Sequence, residues 1–175
     1  MKKILKISLA VIFLNLIFPT ISFSDNAHFI DFKKVLNQSA AGKKAQDFLK
    51  KKFESESKKF QKQEENLKKE EKELIAKKKL ITNEEYLKKV KELRKRVADL
   101  QKEKSDSLKN IAKLRNDAKN KLEDALNPII KKYMEDNNIR MVIDKKAVLL
   151  GDTKLEITSQ IIEILNKELK SLKIN

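Results

Sequence analysis

The chain has 175 residues, of which 38% are charged, and it contains two glycines, two prolines and no cysteine or tryptophan. This composition is typical of long helices rather than a compact globule, and the lack of cysteine excludes disulfides. The formal net charge is +15, which suits nucleic acid, an anionic membrane surface or acidic polypeptides as partners.

The first 24 residues have the order of a secretory signal peptide. Three lysines precede an apolar run of 12 residues, 7–18, which is followed by Pro19 and small residues. A membrane-spanning helix needs about 20 apolar residues, so an uncleaved anchor is the weaker alternative. We therefore predict residues 1–24 to be a signal peptide, cleaved after Ser24, and a mature chain of net charge +12 outside the cytoplasm. Export argues against nucleic acid as the partner.

Residues 25–42 predict the first part of a small body. The segment AHFIDF, 27–32, alternates weakly and predicts a short strand, and KKVLNQSAA predicts a brief helix after it. His28, the only histidine, lies in this strand with no converging partners at a recognisable spacing. We therefore expect His28 to be structural or exposed rather than catalytic.

Residues 43–150 contain no glycine, and the first part of this stretch predicts one long helix from Lys43 to about Leu80. A single apolar stripe recurs every seven residues, at Phe53, Phe60, Leu67 and Leu74. The half-way positions, where a coiled coil places a second apolar residue, hold Glu56, Gln63 and Glu70. We expect a thin seam between this helix and its partner that can bend, because a fuller apolar face would bind too tightly.

Thr82 and Glu85 fit the S/T-x-x-E capping box and predict the start of a second long helix. Two long helices joined by a few residues form an antiparallel hairpin, so residues 43–135 predict an arm with its tip near 80–86. A fold point near Thr82 places Leu67 opposite Val97, with paired residue numbers summing to about 164. Pro128 either begins a new helix or kinks this one, and the sequence leaves both open.

Residues 136–175 predict the remainder of the body. We expect a strand hairpin, with strands at Ile139–Ile143 and Ala147–Leu150, and then an amphipathic terminal helix. Three short strands are too few to bury a sheet alone, so such a body is completed by oligomerisation. The predicted fold class is α+β, mostly α, with a long antiparallel two-helix arm projecting from a small β-containing body.

The search for catalytic chemistry is negative. The sequence has no glycine-rich phosphate loop, nucleophile elbow or Cys/His metal cluster, and adjacent carboxylates such as Glu64 and Glu65 point apart on a helix. We therefore expect neither an enzyme nor a bound metal or cofactor.

Charge is concentrated at the outer part of the predicted arm. Residues 68–96 hold twelve basic residues against six acidic ones, which is half of the mature excess. A helix surface kept soluble by charge explains most individual lysines, but it does not explain an excess that is positive and distant from the body. We predict an electrostatic surface for acidic or lipid-associated partners here, and the residues that form it are Lys77, Lys78, Lys79, Tyr86, Lys88, Lys89, Arg94 and Arg96.

Two motifs near the carboxyl end resemble a known family. VIDKKAVLL, residues 142–150, followed by LEIT, residues 155–158, is similar to the strand hairpin and the start of the last helix in the Skp (OmpH) family of periplasmic chaperones. HFIDFKKVLNQS resembles the first strand and turn of that family. Leu150 stands where an aromatic residue is common, and Glu156 replaces the more usual Asp.

The resemblance implies a homotrimer whose strands build a shared body, with three arms enclosing a cavity. The implied function is that of an ATP-independent periplasmic holdase that binds unfolded outer-membrane β-barrel proteins and prevents their aggregation. The implied partners also include an anionic membrane or lipopolysaccharide. The alternatives are a structural coiled-coil envelope protein, which predicts an uninterrupted rod, and a basic nucleic-acid-binding protein, which export contradicts.

Overall fold

The computed structural model describes residues 27–174, and the predicted signal peptide and its cleavage point after Ser24 lie outside them. The helices, in chain order, are α1 (Phe32–Gln38), α2 (Ala40–Ala76), α3 (Asn83–Asp136) and α4 (Thr158–Glu168). Two short strands complete the fold, β1 (His28–Ile30) and β2 (Val142–Asp144). The chain is therefore mostly helical with a small sheet, which confirms the predicted fold class.

The body is built around one apolar core. It includes the buried side chains Val35 of α1, Leu122 and Leu126 of α3, and Ile161 and Leu165 of α4. The four-residue spacing within α3 and within α4 places each pair on one face of its helix. The body thus depends on the final part of α3, while the first half of the same helix belongs to the arm.

The junction between α1 and α2 is a tight turn at Ser39. The buried Ser39 caps α2, since its Oγ accepts a hydrogen bond from the backbone N–H of Gly42 at 3.1 Å. A Cβ added at Gly42 would lie 2.2 Å from the carbonyl oxygen of Leu36. Gly42 lies within the first turn of α2. Because it has no side chain, it permits the close approach of α1 to α2.

The two strands are parallel neighbours, with Phe29 opposite Ile143. On the other side of β1, the N–H of Ile157 donates to the carbonyl oxygen of Phe29 at 3.0 Å. β1 thus lies between two segments that come from the far end of the sequence. The long arm between the strands makes the parallel pairing possible, because parallel strands need a long connection.

The predicted strand over Ala147–Leu150 is wrong. After β2 the chain forms a 3₁₀ turn, Lys145–Ala147, which Asp144 caps through a hydrogen bond from the N–H of Lys146 at 3.0 Å. Leu149 and Leu150 are 95% and 91% exposed, and within residues 27–174 no strand pairs with them. Branched apolar residues favour a strand, but a strand also needs a partner for its backbone groups.

A polar network joins β1, the 3₁₀ turn and α4. Thr158 Oγ1 accepts from the N–H of Asp31 at 2.9 Å and donates to Glu156 Oε1 at 2.8 Å, while Lys145 Nζ lies 2.8 Å from Glu156 Oε2. The hydrogen bond from Lys145, and then that from Thr158, lowers the pKa of the Glu156 carboxyl. Glu156 therefore holds these segments together as a carboxylate.

The helix α3 is 54 residues long and continues through Pro128. Pro128 therefore does not begin a new helix, and this excludes the first of the two alternatives that the sequence left open for this proline. Proline within a helix removes one backbone hydrogen bond, so the ladder is interrupted in the part of α3 that packs on the body.

Candidate binding surface on the helical arm

The arm consists of α2 and the first half of α3, which pack as an antiparallel hairpin. Its buried seam is small and contains Phe60 and Leu67 of α2 and Leu100 of α3, with Leu93 packed against them. Phe53, from the same stripe as Phe60, is 48% exposed. The arm thus holds together through few buried contacts, as the single apolar stripe predicts.

Two ion pairs cross the seam where apolar residues are missing. Arg96 binds both carboxylate oxygens of Glu70, with Nη2 at 2.9 Å from Oε1, and Lys104 Nζ lies 2.6 Å from Glu64 Oε1. The hydrogen bond from Arg96 lowers the pKa of the Glu70 carboxyl, and the hydrogen bond from Lys104 lowers that of Glu64. The polar half-way position at Glu70 is therefore a bridge between the helices.

These ion pairs correct the predicted register. The residue numbers of the two pairs sum to 166 and 168, whereas the fold point near Thr82 predicts about 164. The two helices are thus displaced by two to four residues from the predicted pairing, which is at most about one helical turn. Leu67 therefore packs in one cluster with Leu100, and Val97 is 43% exposed. A stripe with one apolar residue per heptad fits almost equally well after such a slip.

The tip of the arm is a short cationic turn. Lys77–Lys79 form a 3₁₀ helix after α2, and Thr82 caps α3 by accepting a hydrogen bond from the N–H of Glu85 at 3.2 Å. This confirms the predicted cap. Lys78 Nζ lies 5.4 Å from the ring centroid of Tyr86, so a cation–π contact joins the two sides of the tip.

The structure divides the predicted client-binding residues into two groups. The lysine and arginine side chains available to a partner are exposed: Lys77, Lys78, Lys79, Lys88, Lys89 and Arg94. Lys89 also pairs with Glu85 at 3.0 Å, and Tyr86 is half-buried. Arg96 is exposed as well, and it pairs with Glu70 across the arm.

Exposed apolar side chains lie beside the lysines at the tip, and they are not part of the surface predicted from the sequence. Leu80 is 81% exposed, and Ile75 and Leu87 are also exposed. Ile75 and Leu80 lie outside the seven-residue stripe, which is the sequence signal that could have identified them. We define the tip surface as Lys77–Lys79 together with Ile75, Leu80, Tyr86 and Leu87. It offers cationic and apolar groups side by side.

Within the part of the chain that the structure describes, there is no cluster of three or more His, Asp or Glu side chains placed to hold a metal ion. Over residues 27–174, no helix combines the length and the hydropathy needed to cross a membrane.

The described residues form a small body with one long two-helix arm, and this architecture defines the class of protein. Residues 27–165 match the family described as outer membrane protein (OmpH-like), and the chain belongs to that family. The OmpH-like chaperones are not enzymes, which confirms the expectation from the missing catalytic motifs.

The fold is also found in a solved structure. A crystal structure of an OmpH-like protein from Caulobacter crescentus CB15, described as a candidate outer membrane chaperone, is similar with a TM-score of 0.80 and 19% identity. The match covers 85% of this chain and 88% of that chain. Among curated proteins, none matches this sequence.

Proposed function

We propose that the protein is an ATP-independent holdase chaperone of the periplasm that binds unfolded outer-membrane β-barrel proteins and keeps them from aggregating. The observation that carries this proposal is the tip surface, where lysines surround exposed leucine and isoleucine side chains at the end of a thin arm. Membership of the OmpH-like family supports a chaperone role.

The tip surface suits a client that is unfolded. Long-range attraction by the lysines raises the encounter rate with acidic segments, and exposed apolar side chains add weak contacts of no fixed geometry. Many weak contacts within one cavity retain a chain through effective concentration, without a tight site for any one segment. No nucleotide is needed for such binding.

The proposal includes a homotrimer with a cavity between its three arms. In one chain the sheet has only two strands, and the outer edge of β2 has no strand partner within residues 27–174. Leu149 and Leu150 lie exposed just after β2. Both features support a body completed by other copies of the chain. Light scattering should give the mass of a trimer, and small-angle scattering should show splayed arms rather than a rod.

The proposed location is the periplasm, reached through a signal peptide that is removed after Ser24. Fractionation and amino-terminal sequencing of the mature protein test both points. Basic arms would also bind an anionic membrane or lipopolysaccharide, and vesicle flotation with anionic and neutral lipids tests that contact. A cytoplasmic location would instead favour the nucleic-acid alternative. The observed hairpin disagrees with the uninterrupted rod that a coiled-coil spacer requires.

The decisive experiment is an aggregation assay. An outer-membrane β-barrel protein is diluted from urea with and without the chaperone, and light scattering is followed. Suppression is expected from the intact protein, and it should weaken when Lys77, Lys78 and Lys79 are changed to glutamate. A matched variant reverses three exposed lysines elsewhere on α3, Lys102, Lys113 and Lys132. No suppression by the intact protein would overturn the proposal.

A further inference from the structure

An apolar groove lies between α2 and α3 at the base of the arm, at the opposite end of the hairpin from the tip surface. Its volume is ≈ 640 Å³, and its apolar lining includes Ala45, Leu49 and Phe53 of α2 and Ile111 and Leu122 of α3. The groove is large enough to take several side chains.

The charged residues that line the groove are all basic. They are Lys50, Arg115 and Lys119, and among residues 27–174 no carboxylate lines it. Lys119 pairs with Glu123 at 2.9 Å, and Lys50 is 4.0 Å from Glu54. Arg115 makes no ion pair within residues 27–174. An acidic group entering the groove would therefore meet an arginine that no carboxylate of residues 27–174 engages.

The carboxyl-terminal tail, residues 169–174, already occupies one side of this groove. After α4 ends at Glu168 the tail leaves the helix, and Leu172 lines the groove. Lys121 Nζ donates a hydrogen bond to the carbonyl oxygen of Lys173 at 2.7 Å. Leu172 is only half-buried, so the tail is held by few contacts.

We propose that this groove binds an extended polypeptide segment that carries apolar side chains next to a carboxylate, and that the tail is an intramolecular competitor for it. The inference rests on the proposed holdase function and assigns a second client contact to the base of the arm. The tail forms part of the groove wall, since Leu172 lines the groove from a non-helical segment, and a peptide of the same kind would compete with it for the neighbouring apolar surface. Arg115 supplies the preference for an acidic neighbour.

The test uses a fluorescent peptide in which leucine and serine alternate, with a glutamate at each end, and fluorescence anisotropy reports its Kd. Releasing the tail with Leu172→Ser should tighten binding about fivefold, because a half-buried leucine no longer competes. Arg115→Gln should weaken binding about tenfold, through loss of the charged hydrogen bonds. Val97→Ser and Lys102→Gln are the matched controls, since both residues are exposed and neither lines the groove.

A second readout follows the tail directly. The chain has no cysteine, so Lys173→Cys labelled with bimane reports the tail alone. Its emission should change on adding the peptide, with the Kd found by anisotropy, and a peptide with serine in place of leucine should have no effect.

Unchanged or weaker binding by Leu172→Ser, or unchanged binding by Arg115→Gln, would overturn the inference. Circular dichroism confirms that each variant is folded. The proposed function has a separate readout: a wild-type protein that suppresses aggregation while failing the peptide test keeps its holdase role and loses the groove site.

Discussion

Arg96 and Glu70 lie 26 residues apart in the sequence and are joined by two hydrogen bonds across the arm, with Arg96 Nη2 at 2.9 Å from Glu70 Oε1. The pair occupies a position that an apolar residue would hold in a regular coiled coil. It ties the two helices together while leaving both side chains partly in water.

The first prediction concerns the strength of this bridge. Because both side chains are exposed to solvent, the double-mutant cycle Glu70→Gln and Arg96→Gln should give a coupling of about 0.2–1 kcal/mol in the free energy of unfolding. Urea unfolding measures it. The pair Lys50 and Glu54, 4.0 Å apart, is the control and should give less. Equal couplings would contradict the special role of Arg96.

The second prediction concerns pH. The pKa values of Glu64 and Glu70 are lowered in the folded arm, so each carboxylate stabilises it above the ordinary pKa of 4.5. That contribution is lost as the pH falls through the folded pKa, because protonation breaks the ion pairs. Hydrogen exchange of the arm, corrected for the intrinsic exchange rate, should therefore accelerate below about pH 4.5. In Glu64→Gln/Glu70→Gln the acceleration should be smaller, and an unchanged profile would contradict the assignment.

The third prediction concerns the polar seam. Gln63 has a buried Oε1 with no hydrogen-bond partner among the described residues, and such an atom costs about 1–3 kcal/mol. Gln63→Leu should therefore raise the free energy of unfolding by about 1 kcal/mol and slow hydrogen exchange in the arm. Under the proposed function it should also slow client release. The exposed Gln101→Leu is the control, and a destabilised Gln63→Leu would show that the amide is needed.

The fourth prediction compares the two glycines. Gly42→Ala places a Cβ 2.2 Å from the carbonyl oxygen of Leu36, so it should cost about 1–3 kcal/mol although alanine is the better helix former. Gly151→Ala meets only side-chain atoms, the nearest at 3.2 Å on Phe29, and should change stability by less than about 0.5 kcal/mol. Chemical denaturation of both variants tests this, and a stable Gly42→Ala would disprove the close approach.

The fifth prediction separates binding from stability on the arm. Leu80 is 81% exposed, so Leu80→Ser should leave the free energy of unfolding within about 0.5 kcal/mol while weakening suppression of aggregation. Leu67 is buried in the seam, so Leu67→Ala should cost about 2–5 kcal/mol. Thermal unfolding and the aggregation assay on the same samples distinguish the two effects. Undiminished suppression by Leu80→Ser would remove Leu80 from the tip surface.

Local signals predicted the arm well. The cap at Thr82 depends on residues within one turn, and the helices on either side have no glycine beyond Gly42 to interrupt them. Such features need no knowledge of distant parts of the chain. The apolar face of the terminal helix was likewise visible, and Ile161 and Leu165 are buried.

Pairing between distant segments was not predictable in the same way. One apolar residue per heptad permits slips of about one turn, and only the contacts of Glu70 with Arg96 and Glu64 with Lys104 select the observed register. This pairing also engages Arg96 with Glu70 across the arm while its side chain stays exposed.

The sequence by itself determined the helical arm, the position of its turn, the basic tip and the family resemblance, because helix periodicity, capping and charge are written into neighbouring residues. The tertiary structure decided the arm register, the parallel pairing of β1 with β2 and the absence of a strand over 147–150. It also formed the groove at the arm base, where Leu172 and Arg115 come together. These features depend on contacts between residues far apart in the chain. The free-energy differences between alternative pairings of such residues cannot be read from a local sequence pattern.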